Sequence, residues 1–152
     1  MTGHPGLPEV GAAPEAPDPL GVVSGALGFG AVVGVGLQAL VSFGVDTLKA
    51  GLSPGDKPSL TSPHALVLLL GTPAGIVLAG LAAWYFLAPL GNPWRRSMLA
   101  IVAGLGSFVL SVLLIWPVFS YTGRQGLLGL IAIAGILSLI MGRRLAGPRV
   151  SP

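Results

Sequence analysis

The chain has no cysteine and very little charge. The absence of cysteine among its 152 residues excludes disulfides, thiolate metal sites, iron–sulfur clusters and a cysteine nucleophile. Charged residues make up 9% of the chain and hydrophobic residues 53%, whereas about a quarter of the residues of a soluble domain are charged. This composition predicts an integral membrane protein whose main partner is the lipid bilayer.

Long uncharged apolar runs account for most of the chain. A helix that crosses a bilayer needs about 20 predominantly apolar residues. Four runs are of that order, at about residues 20–45, 65–88, 97–120 and 126–142. We therefore predict an all-α integral membrane bundle of four transmembrane helices over residues 20–142. A proline-rich acidic arm at 1–19 precedes this domain, and a basic tail at 143–152 follows it.

Aromatic residues mark the ends of these spans. Tryptophan and tyrosine favour the headgroup level of a membrane, where the ring is half apolar and half hydrated. Trp84, Tyr85 and Trp94 surround the connection between the second and third spans, whereas Trp116 and Tyr121 lie at the far end of the third. The two groups should therefore mark opposite faces of the bilayer.

The basic residues indicate an orientation. The arm has no lysine or arginine, so it lacks the basic region that a cleavable signal peptide requires. Five basic residues fall on the side of the termini and three on the opposite side. The first set is Arg95, Arg96, Arg143, Arg144 and Arg149, and the second is Lys49, Lys57 and Arg124. The excess predicts a bacterial plasma-membrane protein with both termini in the cytoplasm.

Small residues recur at helical spacing. In lipid, helices associate by close packing, and glycine allows two backbones to approach. The first span carries two glycine faces, formed by Gly21, Gly25, Gly28, Gly30 and Gly34. These faces either pack the four helices together or bind other membrane subunits or a second copy. Because one neighbouring helix needs only one such face, we take these five glycines as the candidate partner interface.

The predicted spans contain polar residues but no ionisable ones. The candidates inside the membrane are Gln38, Thr72, Ser107 and Ser111. Gln38 could form an interhelical hydrogen bond or line a polar path. Asp46 and Lys49, just past the first span, are spaced to form an ion pair with each other. A transporter that couples to ions or protons usually has an ionisable group within the membrane, so these spans do not predict one.

Two prolines lie inside predicted spans. Pro73 and Pro117 each lack a backbone donor and predict a kink in the second and third spans. Such a kink either bends the helix permanently or serves as a hinge in a transporter.

His64 is the one weak candidate for cofactor binding. It stands where the second span begins, and its imidazole could bind the magnesium of a pigment or the iron of a heme. The alternative is a hydrated group at the membrane surface or a hydrogen-bond donor at the start of the helix. The sequence indicates no metal site and no catalytic residues, since no acid–base pair lies within the spans. Its basic residues are too scattered for nucleic-acid binding. We therefore expect no enzymatic activity and no nucleic-acid partner.

Two functions fit this pattern. The first is a non-catalytic integral subunit of a larger bacterial membrane complex, which docks through its glycine faces and its arm. The second is a small homodimeric transporter or channel, lined by Gln38, Thr72 and the serines. A third hypothesis is a membrane enzyme or a pigment or heme binder centred on His64.

Overall fold

The fold is all-α. A computed structural model describes residues 18–55 and 59–147 of the chain. The long helices are α1 (Pro19–Ala50), α2 (Pro63–Phe86) and α3 (Pro93–Ala146), and a short 3₁₀ helix, Ala88–Leu90, joins α2 to α3. The predicted arm before residue 18 and the end of the tail after residue 147 lie outside the described residues.

Each long helix begins at a proline. Proline is favoured there because its fixed φ suits a helix and its missing donor is not needed in the first turn. The Asp18 carboxylate accepts a hydrogen bond from the backbone N–H of Leu20 at 3.1 Å. The Asn92 side chain accepts one from the N–H of Trp94, also at 3.1 Å. These side chains satisfy backbone donors that a helix start leaves unpaired.

The three helices have the lengths and compositions of membrane spans. Each is long and apolar enough to cross a bilayer, and the protein is therefore a multi-pass membrane protein. Small residues fill the interior, where Ala26, Ala39 and Ala79 are fully buried, while large side chains such as Leu69 and Ile101 face outward. This distribution suits a protein surrounded by lipid, because large apolar side chains can face the lipid tails while small side chains let the helices approach each other.

The predicted third and fourth spans lie in one helical element of 54 residues. The predicted spans at 97–120 and 126–142 lie on either side of Gly123 within this element. The element is interrupted at Gly123, which has φ 60° and ψ −143°. Glycine reaches this backbone conformation at little cost because it has no Cβ. The helices run on through Pro73 and Pro117, so the interruption falls at the glycine and not at a proline.

The two parts of α3 pass α1 in opposite directions. Before Gly123, Gly30 lies against Ala103, and Gly34, further along α1, lies against Ser107. The residue numbers rise together, so this part runs parallel to α1.

After Gly123 the order is reversed. A Cβ on Gly25 would lie 2.7 Å from the Leu145 side chain, and one on Gly36 would lie 3.0 Å from Ala134. The chain thus doubles back at Gly123, and four helical segments lie side by side although the described residues contain three long helices.

The bundle has two distinct ends. At one, the rings of Phe29 and Phe86 meet edge to face with centroids 4.9 Å apart, and Arg96 lies over the ring of Trp84. At the other, Arg124 forms an ion pair with Asp46. Trp84 and the Gly123 interruption therefore lie at opposite ends, which are called the Trp84 end and the Asp46 end below.

Candidate functional site

The glycines proposed as a partner interface contact mainly the chain itself. A Cβ on Gly30 would lie 2.9 Å from the Ala79 carbonyl oxygen, and Gly34 lies directly against Ser107. A Cβ on Gly28 would lie 3.2 Å from Met141 Cε, and one on Gly21 would have only Asp18 within 4 Å. Together with Gly25 against Leu145, four of the five glycines pack the helices of this protein together. These contacts explain the two faces of α1, because α1 has neighbours on both sides. Docking of a partner there remains a prediction that this packing does not require.

A cavity of about 380 Å³ lies between the three helices on the half of the bundle toward the Asp46 end. Volumes of about 300–1,000 Å³ are usual for small-molecule sites. The cavity extends from the middle of α1 to exposed side chains at the end of the bundle, and its walls are mostly apolar. The lining residues include Val41, Val45, Leu68, Phe108, Val112, Ile115, Trp116, Phe119 and Leu127.

The inner end of the cavity is polar. Gln38 is 5% exposed, and its Nε2 donates a hydrogen bond to the backbone carbonyl of Thr72 at 2.9 Å. Gln38 therefore joins α1 to α2. Its Oε1 and the hydroxyls of Ser42 and Thr72 have no hydrogen-bond partner among the described residues, and all three residues line the cavity. We call these three residues the polar floor.

The two buried serines of α3 differ from the polar floor. Ser107 Oγ donates to the Gly104 carbonyl at 2.7 Å, and Ser111 Oγ donates to the Ser107 carbonyl at 2.6 Å. Both hydroxyls thus bond to the backbone of their own helix, as is common for serine within helices. Ser111 lines the cavity, whereas Ser107 packs against Gly34. The four predicted polar residues therefore divide into three that line the cavity and one in the packing.

The charged residues that line the cavity lie at its mouth. Asp46 pairs with Arg124 through an Nε–Oδ2 distance of 2.6 Å, and Arg124 also donates to Thr47 Oγ1 at 2.9 Å. The predicted Asp46–Lys49 pair is therefore wrong. Arg124, which directly follows the Gly123 interruption, forms the ion pair with Asp46 instead. Lys49 is exposed and lines the mouth of the cavity.

Comparison of the chain with protein-family models, curated proteins and solved structures gave no match. The assignment of a function therefore depends on the cavity and its side chains.

His64 lies outside the cavity lining. It is 9% exposed, its Nε2 is 3.3 Å from Ser62 Oγ, and its Nδ1 is buried without a hydrogen-bond partner among the described residues. In the described ranges, no group of three or more His, Asp or Glu side chains is placed to hold a metal ion. The pigment or heme contact at His64 remains a prediction.

Sequence reasoning identified Gln38 and Thr72 as residues that could line a polar path, but it did not locate the cavity or its apolar walls. Ser42 follows Gln38 by four residues, so the spacing alone places both side chains on the same face of α1. The apolar walls could not be predicted, because in the sequence Phe108 and Ile115 look like any lipid-facing residues. Only the positions of the neighbouring helices show that they line a cavity. Lys49 was noticed only as a partner for Asp46, so its position at the mouth was missed.

Proposed function

We propose that this protein is a small membrane transporter or channel for neutral solutes that carry hydrogen-bonding groups. The observation that supports this most directly is the polar floor, where Gln38 Oε1 and the hydroxyls of Ser42 and Thr72 face a cavity. Polar groups without partners are costly within a bilayer unless they line a water-filled space. A hydrated solute or water supplies the missing hydrogen bonds.

The charge distribution favours a neutral solute. Among the described residues that line the cavity, only Asp46 and Lys49 are charged, and both lie at its mouth. The Asp46 carboxylate is already paired with Arg124. Deeper in, the floor offers one amide oxygen and two hydroxyls, which can accept and donate hydrogen bonds but cannot neutralise an ion. An ion entering this site would lose hydration without gaining a countercharge.

The depth of the floor suits passage across a membrane. At about 1.5 Å per residue, Gln38 lies about 12 Å along α1 from Asp46. The midplane of a hydrocarbon core about 30 Å thick is about 15 Å from its surface. Substrate sites of transporters lie near that midplane, often beside interrupted or kinked helices. Pro73 follows Thr72 directly in α2, so we propose this position as the hinge. The cavity lies within one chain, and the proposal does not require a second copy.

The proposal includes four membrane crossings. It is supported by the Gly123 interruption and by the opposite directions in which the two parts of α3 pass α1. We place the protein in a bacterial plasma membrane with both termini in the cytoplasm, following the excess of basic residues on that side. The Trp84 end is then cytoplasmic, and the cavity opens to the opposite side.

Single cysteines provide the first test, because the natural chain has none. Ser42→Cys and Thr72→Cys place a thiol on the polar floor, and Ser138→Cys places one outside the cavity lining. In intact cells we expect a small water-soluble methanethiosulfonate to modify the floor thiols but not Cys at position 138. Ser120→Cys, near Gly123, should react from the same outer side, and Ser97→Cys only in inverted vesicles. Unreactive floor thiols would mean that the cavity is filled by lipid, and the proposal would fail.

Transport provides the second test. Proteoliposomes are exposed to gradients of glycerol or urea, and swelling is followed by light scattering. We expect at least one of the two solutes to enter faster than into protein-free liposomes. Thr72→Val should reduce that rate, whereas the matched control Thr122→Val, at an exposed position, should not. Equal rates with and without protein for both solutes would contradict the proposed passage of small neutral solutes.

A second candidate function is the non-catalytic subunit of a larger membrane complex. It is favoured by Gly106, Gly129 and Gly135 of α3, at which an added Cβ would meet no atom of the described residues within 4 Å. These glycines are open to the surroundings, unlike Gly30 and Gly34. Native mass measurement after gentle extraction distinguishes the possibilities, because a hetero-complex supports the subunit and a lone monomer counts against it.

A further inference from the structure

A second hollow lies on the outside of the bundle, between α2 and the first part of α3. Two glycines create it by bringing the backbones together. A Cβ on Gly80 would lie 3.0 Å from the Ala100 carbonyl oxygen, and one on Gly104 would lie 2.7 Å from the Ile76 carbonyl oxygen. The backbones thus form the bottom of a groove of about 460 Å³. We call it the α2–α3 groove.

The walls of the α2–α3 groove are apolar and face the lipid. Val77, Leu81, Ile101 and Leu105 line it, and each is more than half exposed. At about 1.5 Å per residue, residues 76–84 rise about 12 Å along α2, which is close to the roughly 15 Å of one leaflet's hydrocarbon. The groove therefore has the length and the chemistry of a lipid acyl chain.

One end of the groove is basic. Trp84 and Ser97 line it there. Arg96 lies over the Trp84 ring at 3.4 Å from its centroid, and its Nε donates to the Trp84 carbonyl at 2.7 Å. These contacts fix the guanidinium and leave its terminal nitrogens for another acceptor. Arg95 is adjacent, and neither arginine forms an ion pair with an acidic side chain of the described residues.

We propose that the α2–α3 groove binds one acyl chain of an anionic phospholipid, with the lipid phosphate at Arg95, Arg96 and Ser97. Arginine recognises phosphate through paired N–H donors, and Trp84 lies at the headgroup level where its ring is favoured. A zwitterionic lipid can occupy the same groove, but its positive group would weaken the attraction of the two arginines. Charge complementarity thus selects the anionic lipid, and the apolar groove selects a lipid over free phosphate.

Quenching of Trp84 fluorescence tests the proposal. Trp94→Phe and Trp116→Phe leave Trp84 as the only tryptophan, since the chain has three. The protein is reconstituted into phosphatidylcholine that contains either phosphatidylglycerol or phosphatidylcholine with brominated acyl chains, at equal mole fractions. We expect the brominated phosphatidylglycerol to quench Trp84 more strongly. Arg95→Gln should lower that preference about fivefold, because one of the two basic groups at the proposed phosphate position is lost.

Two matched controls separate a specific site from general surface charge and general bulk. Arg144→Gln removes the same charge at the same end of the bundle but not at the groove, and it should leave the preference unchanged. Ile101→Phe fills the groove and should reduce the preference, whereas Ile136→Phe, at a similarly exposed position, should not. Equal quenching by both lipids, or equal losses in Arg95→Gln and Arg144→Gln, would overturn the proposal. Displacement of the lipid by soluble glycerol 3-phosphate would also overturn it, because the acyl chain would then contribute nothing.

Discussion

The cavity and the α2–α3 groove share walls from α2 and α3, with α1 completing only the cavity, and they differ in what lines their deepest part. The groove ends on backbone atoms, because Gly80 and Gly104 expose the carbonyls of Ala100 and Ile76 to close contact. The cavity ends on side chains, where Gln38 occupies the space beside Gly75 and offers an unpaired amide oxygen. Glycine in this bundle therefore either joins two backbones or makes room for a polar side chain.

This difference has a mechanical consequence. A backbone carbonyl inside a helix cannot move without moving the helix, whereas the end of a glutamine side chain can rotate. Replacing a glycine that faces a backbone carbonyl in the groove should therefore lower the unfolding free energy strongly. Replacing a glycine that faces Gln38 in the cavity should lower it moderately. Glycines that face outward should tolerate a methyl group. Three glycine-to-alanine variants test this order.

The largest effect is expected for Gly104→Ala. The added Cβ would lie 2.7 Å from the Ile76 carbonyl oxygen, so α2 and α3 must separate. Overpacking of this kind costs about 1–3 kcal/mol of unfolding free energy. The measurement is an SDS titration in mixed micelles, followed by circular dichroism, with Gly129→Ala as the control. A Gly104→Ala protein as stable as that control would mean that the two helices are not in close contact.

Much of this packing could be predicted from the sequence, but not its pairing. Apolar run lengths predicted the α1 and α2 helices within a few residues, and small residues at helical spacing indicated close helix contacts. The partner of each glycine could not be predicted, because every span has small residues at helical spacing. Gly30 and Gly34 were assigned to an external partner, whereas the folded chain places Ala79 and Ser107 against them.

The candidate site was predictable to a similar degree. A lone glutamine in an apolar span is conspicuous, so Gln38 could be identified as an interhelical donor or a lining residue before any fold was available. The Asp46–Arg124 pair could not, because 78 positions separate the two residues in the printed sequence and only the reversal at Gly123 brings them together. Local spacing instead favoured Lys49. Long-range contacts of this type depend on how the helices are arranged, and the hydropathy pattern does not specify that arrangement.

A smaller effect is expected for Gly75→Ala. The added Cβ would lie 2.6 Å from Gln38 Nε2, and Gln38 must rotate away from the Thr72 carbonyl, 2.9 Å distant. Hydrogen bonds between membrane helices contribute about 0.6 kcal/mol on average, so we expect a loss of that order in the same SDS titration. In a Gln38→Ala background, Gly75→Ala should cost nothing further. Equal costs in the two backgrounds would show that Gln38 is not what the methyl group displaces.

The last effect has the opposite sign: Gly106→Ala should stabilise the protein slightly. No atom of the described residues lies within 4 Å of the added Cβ, and replacing glycine by alanine at an unstrained position stabilises a protein by about 0.4–1 kcal/mol, mainly by restricting the unfolded chain. The SDS titration of purified monomer should show this gain. The larger variant Gly106→Leu should be equally stable as a monomer, since it too projects into lipid. If Gly106→Leu lowers stability only when the protein is extracted in its native assembly, another polypeptide covers this face of α3. That result would favour the complex subunit over a transporter that acts as a single chain.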